Sequence, residues 1–299
     1  MAAARARRPS WLVQRAPKSE DLRRIAALLE EHGLHTVCEE ARCPNQGECF
    51  SQRTATFMIM GKVCTRDCAF CSVSSGTPVS LDLEEPLRVA RAAKALELAH
   101  VVVTSVTRDD LKDGGAQHFA STICAIRDLL PQSVIEILIP DLQGDTASLQ
   151  AILQAKPHIL GHNLETIPRL YPLVRPQADY ARSLRVLALA KEKGRGVLTK
   201  SGFMLGLGET IGEAEKVMED LRGASCDLLA LGQYLQPTPR QIPVEAHIHP
   251  AIFSQLKEKA ERLGFAHVAS APFVRSSYHS EEAYRQLRGS WGFPPGQIP

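Results

Sequence analysis

The sequence lacks the features that would send a chain to a membrane, to a nucleic acid or out of the cell. No stretch approaches the 18 or more consecutive apolar residues of a membrane-spanning helix. The formal net charge is only +2, from 35 Lys and Arg against 33 Asp and Glu. No large basic face is therefore expected for a phosphate backbone, and we expect neither nucleic acid nor membrane as a partner. Low-complexity tracts and obvious internal repeats are absent. The start, Met1 to Arg8 (MAAARARR), is rich in Ala and Arg and free of acids, which superficially resembles an organelle-targeting peptide. It is very short, and Glu20 and Asp21 soon break the basic run. We read it as a frayed basic terminus and expect a cytoplasmic protein whose cysteines stay reduced.

At 299 residues the chain is long for one ordinary domain and normal for a barrel of alternating strands and helices. With 44% hydrophobic and 23% charged residues it has enough apolar material for a full core. Asp21 to His32 reads as an amphipathic helix, with Leu22, Ile25, Leu28 and Leu29 on one side and Gly33 ending it. From residue 56 short apolar runs alternate with helical patterns. The strand candidates are Thr56–Met60, His100–Ser105, Val134–Ile139, His158–His162, Val197–Leu205 and Asp227–Leu235. Between them lie helix candidates Glu84–Ala99, Ala116–Leu130, Ser148–Ala155, Ala178–Lys193 and Ile211–Gly223, with Pro250–Leu263 after the last strand.

Six β–α units in succession, each strand nearly continuously apolar, predict parallel strands with both faces buried. The fold class is α/β: a partial TIM-type (βα)6 parallel barrel with N- and C-terminal extensions covering the rim. Three segments follow: an extension over 1–55, the barrel over 56–240, and a C-terminal helix with an irregular tail over 241–299. Chemistry in such barrels sits on loops at the carboxyl ends of strands.

Against this background the cysteines stand out, because six of the eight fall between Cys38 and Cys71. Cys64-x3-Cys68-x2-Cys71 directly follows the first strand of the barrel. Three thiolates on one tight loop can hold three irons of a [4Fe–4S] cube and leave the fourth open to a substrate or cofactor. Cys38-x4-Cys43-x5-Cys49 repeats the arrangement and predicts a second cluster. Zinc stays open as an alternative, since His32 and His35 precede the first triplet, although structural zinc takes four ligands and each triplet supplies three. A disulfide framework does not suit a chain of this length with two further lone cysteines, Cys124 and Cys226. Those two read as small buried residues. Gly206-Leu-Gly208 and Gly114-Gly115 read as turns, and His247-x-His249 as a loop.

Cys64-Thr-Arg-Asp-Cys68-Ala-Phe-Cys71 resembles the C-x3-C-x2-C signature of the radical S-adenosylmethionine enzymes. Taken with Cys38-Glu-Glu-Ala-Arg-Cys43-Pro-Asn-Gln-Gly-Glu-Cys49 and Arg275-Ser-Ser-Tyr278, the chain resembles the lipoyl synthases within that superfamily. Gly161-His-Asn-Leu-Glu-Thr166 and Lys200-Ser-Gly-Phe-Met-Leu-Gly-Leu-Gly-Glu209 agree with this. The similarity runs over nearly the whole chain, and no motif position departs from it.

The resemblance implies two [4Fe–4S] clusters and S-adenosyl-L-methionine as cofactors. Cys64, Cys68 and Cys71 would hold the cluster that binds S-adenosylmethionine, whose reductive cleavage yields a 5′-deoxyadenosyl radical. The cofactor carries this hard step, since no side-chain acid or base can take hydrogen from an unactivated alkyl carbon. Cys38, Cys43 and Cys49 would hold an auxiliary cluster that donates sulfur to C6 and C8 of a protein-bound octanoyl chain. The family places a weaker oxygen ligand in Arg275–Tyr278, for which we take Ser277, with Ser276 next.

For S-adenosylmethionine, Glu165 suits the ribose hydroxyls and Asn163 can both donate and accept. Lys200 and Arg182 suit the methionine carboxylate, Thr107 and Asp109 its amino group, and Tyr234 and Leu235 the adenine. The implied partners are octanoylated lipoyl carrier domains (2-oxoacid dehydrogenase E2 subunits and the glycine cleavage H protein) and an electron donor such as ferredoxin or flavodoxin. Three rivals remain: a methylthiotransferase, a biotin-synthase-like protein, and a zinc-stabilised interaction protein. The first would bring an RNA-binding module, and the second leaves the first cysteine triplet unexplained.

Overall fold

Runs such as His100-Val-Val-Val-Thr-Ser105 are β-branched and apolar, and they form strands that are buried on both faces. The computed structural model describes residues 9–13, 19–51, 56–278 and 280–291. The basic start Met1–Arg8 and the tail beyond Trp291 lie outside them. The strands in chain order are β1 His35–Thr36, β2 Thr56–Ile59, β3 Val63–Cys64, β4 Ser74–Ser75, β5 His100–Ser105, β6 Val134–Leu138, β7 Ile159–Gly161, β8 Leu198–Leu205, β9 Leu228–Gln233 and β10 His267–Ser270. One sheet has the order β1-β2-β5-β6-β7-β8-β9-β10, and β3 pairs with β4 apart from it. From β2 to β10 every pairing is parallel, and β1 is antiparallel to β2 at one edge. The sheet curls without closing, so the architecture is the expected partial barrel.

All six predicted strands are present with ends trimmed by one or two residues. The structure adds a seventh parallel strand, β10, whose four residues (HVAS) are too few to show a period. The helices lie where the patterns place them: Glu85–Ala95, Ala116–Leu129, Thr146–Gln154, Tyr180–Lys193, Ile211–Gly223 and Pro250–Arg262. Their caps follow local chemistry. Asp145 and Asp179 each accept a backbone N–H of the following helix, and Thr210 and Glu213 form a reciprocal capping box. Helix Ser19–Glu31 packs Ile25 and Leu29 into the main core, and Gly33 turns the chain beyond it. Cys226 is buried as expected, whereas Cys124 is exposed, because it faces outward on helix Ala116–Leu129.

The C-terminal extension divides: its 271–278 segment lies by the carboxyl end of β9, where Gln233 N–H bonds Pro272 O, and lines the cavity. Its helix Ser280–Trp291 buries Tyr284 and Leu287 against Ile159, Leu198 and Leu228. These are the first residues of β7, β8 and β9, so the helix closes the amino end of the barrel, away from the rim. Burying two such side chains stabilises the closure by about 1.5–3 kcal/mol each.

Inside the barrel three facing positions carry little or no side chain: Gly202 on β8, Ala230 and Gly232 on β9. Branched residues normally fill such an interior, and their absence here leaves an open lumen. Gly232 also lets the 271–278 segment come against the sheet, since a Cβ there would lie 2.1 Å from the Val274 carbonyl oxygen. Gly232→Ala is therefore expected to destabilise the fold by about 1–3 kcal/mol through overpacking, read as a lowered midpoint in urea denaturation.

Candidate radical and auxiliary cluster site

The two cysteine triplets flank strand β2. At its carboxyl end the backbone turns at Met60 (φ 68°) and Gly61. Glu85 fixes this turn by accepting the Met60 N–H at 2.7 Å while pairing with buried His118 at 2.7 Å. The following loop carries Cys64, Cys68 and Cys71. Its shape is set by the β3–β4 ladder, by Thr65 N–H to Thr107 O and by Ala69 N–H to Val174 O. Arg66, inside the loop, makes a fork to Asp109 at 2.6 and 2.9 Å and reaches Asp141 at 2.6 Å.

At the amino end of β2, Thr36 caps the short helix Val37–Glu40 that carries Cys38. Cys43 N–H bonds Cys38 O, and Cys49 N–H bonds Asn45 O, which folds the first triplet into one knot. Asn45 Nδ2 donates to Phe273 O at 2.7 Å, and the Tyr278 hydroxyl to Glu48 at 2.9 Å, so the C-terminal segment packs on this knot. Ser72 Oγ donates to Glu40 O at 2.6 Å, joining the two cysteine loops.

Both triplets meet the lumen. A cavity of about 400 Å³ is lined by Cys38, Cys43 and Cys49 from one loop and by Cys71 from the other. That volume lies in the range of small-molecule sites. Burial pushes the Cys38 thiol up to about 11 and those of Cys49 and Cys71 up to about 12, with neighbouring thiols adding to the rise. Cys68 is also raised by burial, against the opposing pull of Arg175.

The donor set fits iron–sulfur clusters. Among the described residues no three His, Cys, Asp or Glu side chains gather tightly enough for a single metal ion. A cluster spreads its irons over several corners, so each thiolate can meet a different iron. His32 Nδ1 bonds its own helix at Leu28 O, 3.0 Å away.

The predicted serines separate. Ser277 Oγ accepts from Thr56 Oγ1 at 2.8 Å, and the same threonine hydrogen-bonds Cys38. Ser276 Oγ instead accepts from Asn163 Nδ2 at 2.6 Å. Ser276 and Ser277 are the central residues of a turn closed by Tyr278 N–H to Arg275 O at 3.0 Å, and one faces the first triplet while the other faces the loop after β7.

Of the residues expected around S-adenosylmethionine, Asn163, Glu165, Tyr234 and Leu235 line the cavity. Asn163 Nδ2 also donates to Glu165 at 3.0 Å. Glu165 has φ 64°, a left-handed conformation that costs a non-glycine residue roughly 1–3 kcal/mol, and such strain collects at functional sites. Burial raises its carboxyl above the usual range, with Arg175 opposing. Thr107 stands beside the cluster loop and donates its N–H to Cys64 Sγ at 3.3 Å.

Neither Thr107 nor the other three, Asp109, Arg182 and Lys200, are among the residues that line the cavity. Asp109 is taken by the Arg66 fork. Arg182 pairs with Asp141 at 3.2 Å outside the lumen lining. Lys200, expected at the methionine carboxylate, is not among the residues that line the cavity. It sits near the start of β8, and its ammonium bonds Glu136 at 2.7 Å and Ser280 at 2.8 Å. A carboxylate held at the rim lies at the other end of that strand.

Arg175 was not foreseen. Its Nη1 donates to Asn163 O and Leu164 O at 2.9 and 3.0 Å, and its guanidinium lies beside Cys68. Among the described residues its buried Nε makes no hydrogen bond. An Arg-Pro pair in a helical connection carries no motif that would have revealed it.

Comparison with known proteins agrees with this geometry. The model of the radical SAM superfamily matches residues 58–221, and that of the N-terminal domain of lipoyl synthase matches residues 2–43. A lipoyl synthase of Nitrosococcus oceani is 55% identical over 95% of this chain and 87% of its own length. One of Caldanaerobacter subterraneus is 53% identical over 95% of this chain and 99% of its own. Among solved structures, methylornithine synthase superposes with a TM-score of 0.55 at 16% identity, covering 80% of this chain and 82% of its own, a likeness of fold. With both cysteine triplets on one lumen and relatives this similar from end to end, the chain belongs to the lipoyl synthase family of the radical SAM superfamily.

Proposed function

We propose that the chain inserts two sulfur atoms, at C6 and C8, into an octanoyl chain attached to a lysine of a carrier protein, giving the lipoyl group. The observation that carries this reading is the opening of both triplets onto one lumen, which can present an alkyl chain to two clusters in turn. Cys64, Cys68 and Cys71 would hold one [4Fe–4S] cluster together with S-adenosylmethionine. Cys38, Cys43, Cys49 and Ser277 would hold a second. When bound, these groups supply hydrogen abstraction from an unactivated carbon and the sulfur that replaces it.

The chain's own residues bind, orient and shield. Glu165 and Asn163 present an acceptor and an amide where a ribose can lie, and Tyr234 and Leu235 offer an adjacent apolar wall. Thr107 would flank the methionine end. The Tyr234 hydroxyl is turned away into a bond with Ile242 O at 2.7 Å, which leaves its ring for packing. Gly202, Ala230 and Gly232 leave room for an alkyl chain and offer no polar atom to compete with it. Ser277 contributes an oxygen among thiolates, a weaker ligand suited to a cluster that gives up its sulfur.

The segments 1–55, 56–240 and 241–299 divide this work into auxiliary cysteine loop, barrel, and closing segment with Ser277. The carriers would be the E2 subunits of 2-oxoacid dehydrogenases and the glycine cleavage H protein. Electrons would come from a ferredoxin or flavodoxin in the cytoplasm. Among the described residues no helix is long and apolar enough to cross a membrane.

The test uses anaerobically reconstituted protein, reductant, S-adenosylmethionine and a peptide bearing octanoyl-lysine, followed by mass spectrometry. Monothiolated and then dithiolated peptide is expected, and 5′-deoxyadenosine without thiolated peptide would move the substrate elsewhere. Cys68→Ala is expected to abolish both deoxyadenosine and thiolation, whereas Cys43→Ala keeps deoxyadenosine and loses thiolation. Equal loss of deoxyadenosine in the two variants would overturn the division between the triplets. For Ser277→Ala, thiolation falls while cleavage persists, and a neutral Ser277→Ala beside a damaging Ser276→Ala would reassign the oxygen.

A further inference from the structure

Lys200 and Glu136 form a buried ion pair that none of the cofactor contacts uses. Each side chain is at most one-tenth exposed. A buried pair of this kind gains little over apolar residues of the same size, because both charges lose their water. Glu136 is fully engaged: burial would raise its carboxyl, but Lys200 and His100 outweigh that and hold it at about 2. His100 Nε2 lies 3.0 Å from its second oxygen. The carboxylate therefore aims the ammonium, and the ammonium has one further partner, the Ser280 hydroxyl at 2.8 Å.

Ser280 opens the closing helix and stands three residues past Ser277. Its backbone N–H bonds Ser277 O and its hydroxyl lies 3.4 Å from Ser276 O. Gripping Ser280 thus fixes the carbonyls of both serines, and with them the direction in which Ser277 Oγ points toward Thr56 and Cys38. Lys200 grows from β8, so the grip ties the C-terminal segment to the sheet.

We propose that Lys200, aimed by Glu136, is a positioning residue for the auxiliary site: it latches Ser280 and so presents Ser277 to the first cysteine triplet. The proposal rests on the reading of Ser277 as a ligand to the second cluster. It assigns Lys200 no contact with S-adenosylmethionine.

The test compares Ser280→Ala, Ser280→Thr and the double variant Lys200→Met/Glu136→Gln, which removes both charges together. Hydrogen–deuterium exchange on cluster-free protein is expected to quicken by about tenfold in peptides spanning 275–291 for Ser280→Ala and the double variant, a change of about 1.4 kcal/mol. Ser280→Thr keeps the hydroxyl and is expected to exchange like the parent. With Cys64, Cys68 and Cys71 replaced by Ala, the remaining cluster is expected to show an altered Mössbauer spectrum in Ser280→Ala and a parental one in Ser280→Thr.

Unchanged exchange over 275–291 in both Ser280→Ala and the double variant would overturn the latch. So would weakened S-adenosylmethionine binding by the double variant with exchange unchanged, which would return Lys200 to the cofactor. Should the double variant fail to fold, Ser280→Ala and Ser280→Thr decide alone. A parental Mössbauer spectrum in Ser277→Ala, with exchange responding as expected, would sink the ligand reading while leaving the tether in place.

Discussion

A parallel barrel is stable because branched side chains from alternate strands fill its interior, and this one leaves that interior partly empty at Gly202, Ala230 and Gly232. The rest of the structure follows from the vacancy. An unfilled barrel needs closure from elsewhere, and the helix Ser280–Trp291 supplies it by covering the amino ends of β7, β8 and β9. An emptied interior also lets the 271–278 segment lie against β9, where a single Cβ on Gly232 would collide with the Val274 carbonyl. The lumen that results is wide enough for a ligand and open to cysteines at both ends of β2.

Charge placement follows the same geometry. The lumen walls carry Val102, Leu138, Gly202, Ala230 and Gly232 beside the polar Thr56, Glu136 and Asn163. Where loops must be fixed, buried charges appear in matched sets. Arg66 with Asp109 and Asp141 braces the Cys64–Cys71 loop at the rim, and Lys200 with Glu136 and His100 occupies the base. Arg175 differs, since among the described residues its Nε makes no hydrogen bond while its Nη1 is committed to backbone carbonyls beside Cys68.

Much of this was legible in the sequence. The apolar runs gave six strands with ends right to within one or two residues, because a strand buried on both faces has a continuous signal. β10 was missed because four residues of mixed polarity have no period to detect. The cysteine spacings identified two separate triplets, because loops this short bring their own thiols together whatever the fold around them. Asn163, Glu165, Tyr234 and Leu235, chosen as polar or apolar groups at or just past strand ends, all line the cavity. Lys200, chosen because a cation suits a carboxylate, is the third residue of the long strand β8 and pairs with Glu136, a partner that nothing local in the sequence reveals.

What the sequence determined by itself, then, was everything that depends on near neighbours: the helices and their caps, the strands, the two thiolate triplets and the family they resemble. What only the tertiary structure decided was which distant groups meet. Ser277 comes to Thr56 and Cys38, Ser276 comes to Asn163, Lys200 turns inward to Glu136 and Ser280, and Arg175 arrives beside Cys68. These contacts join segments as many as 221 residues apart. They are fixed by the register and curvature of the whole sheet, which sum many weak pairings and leave no trace in any short stretch of chain.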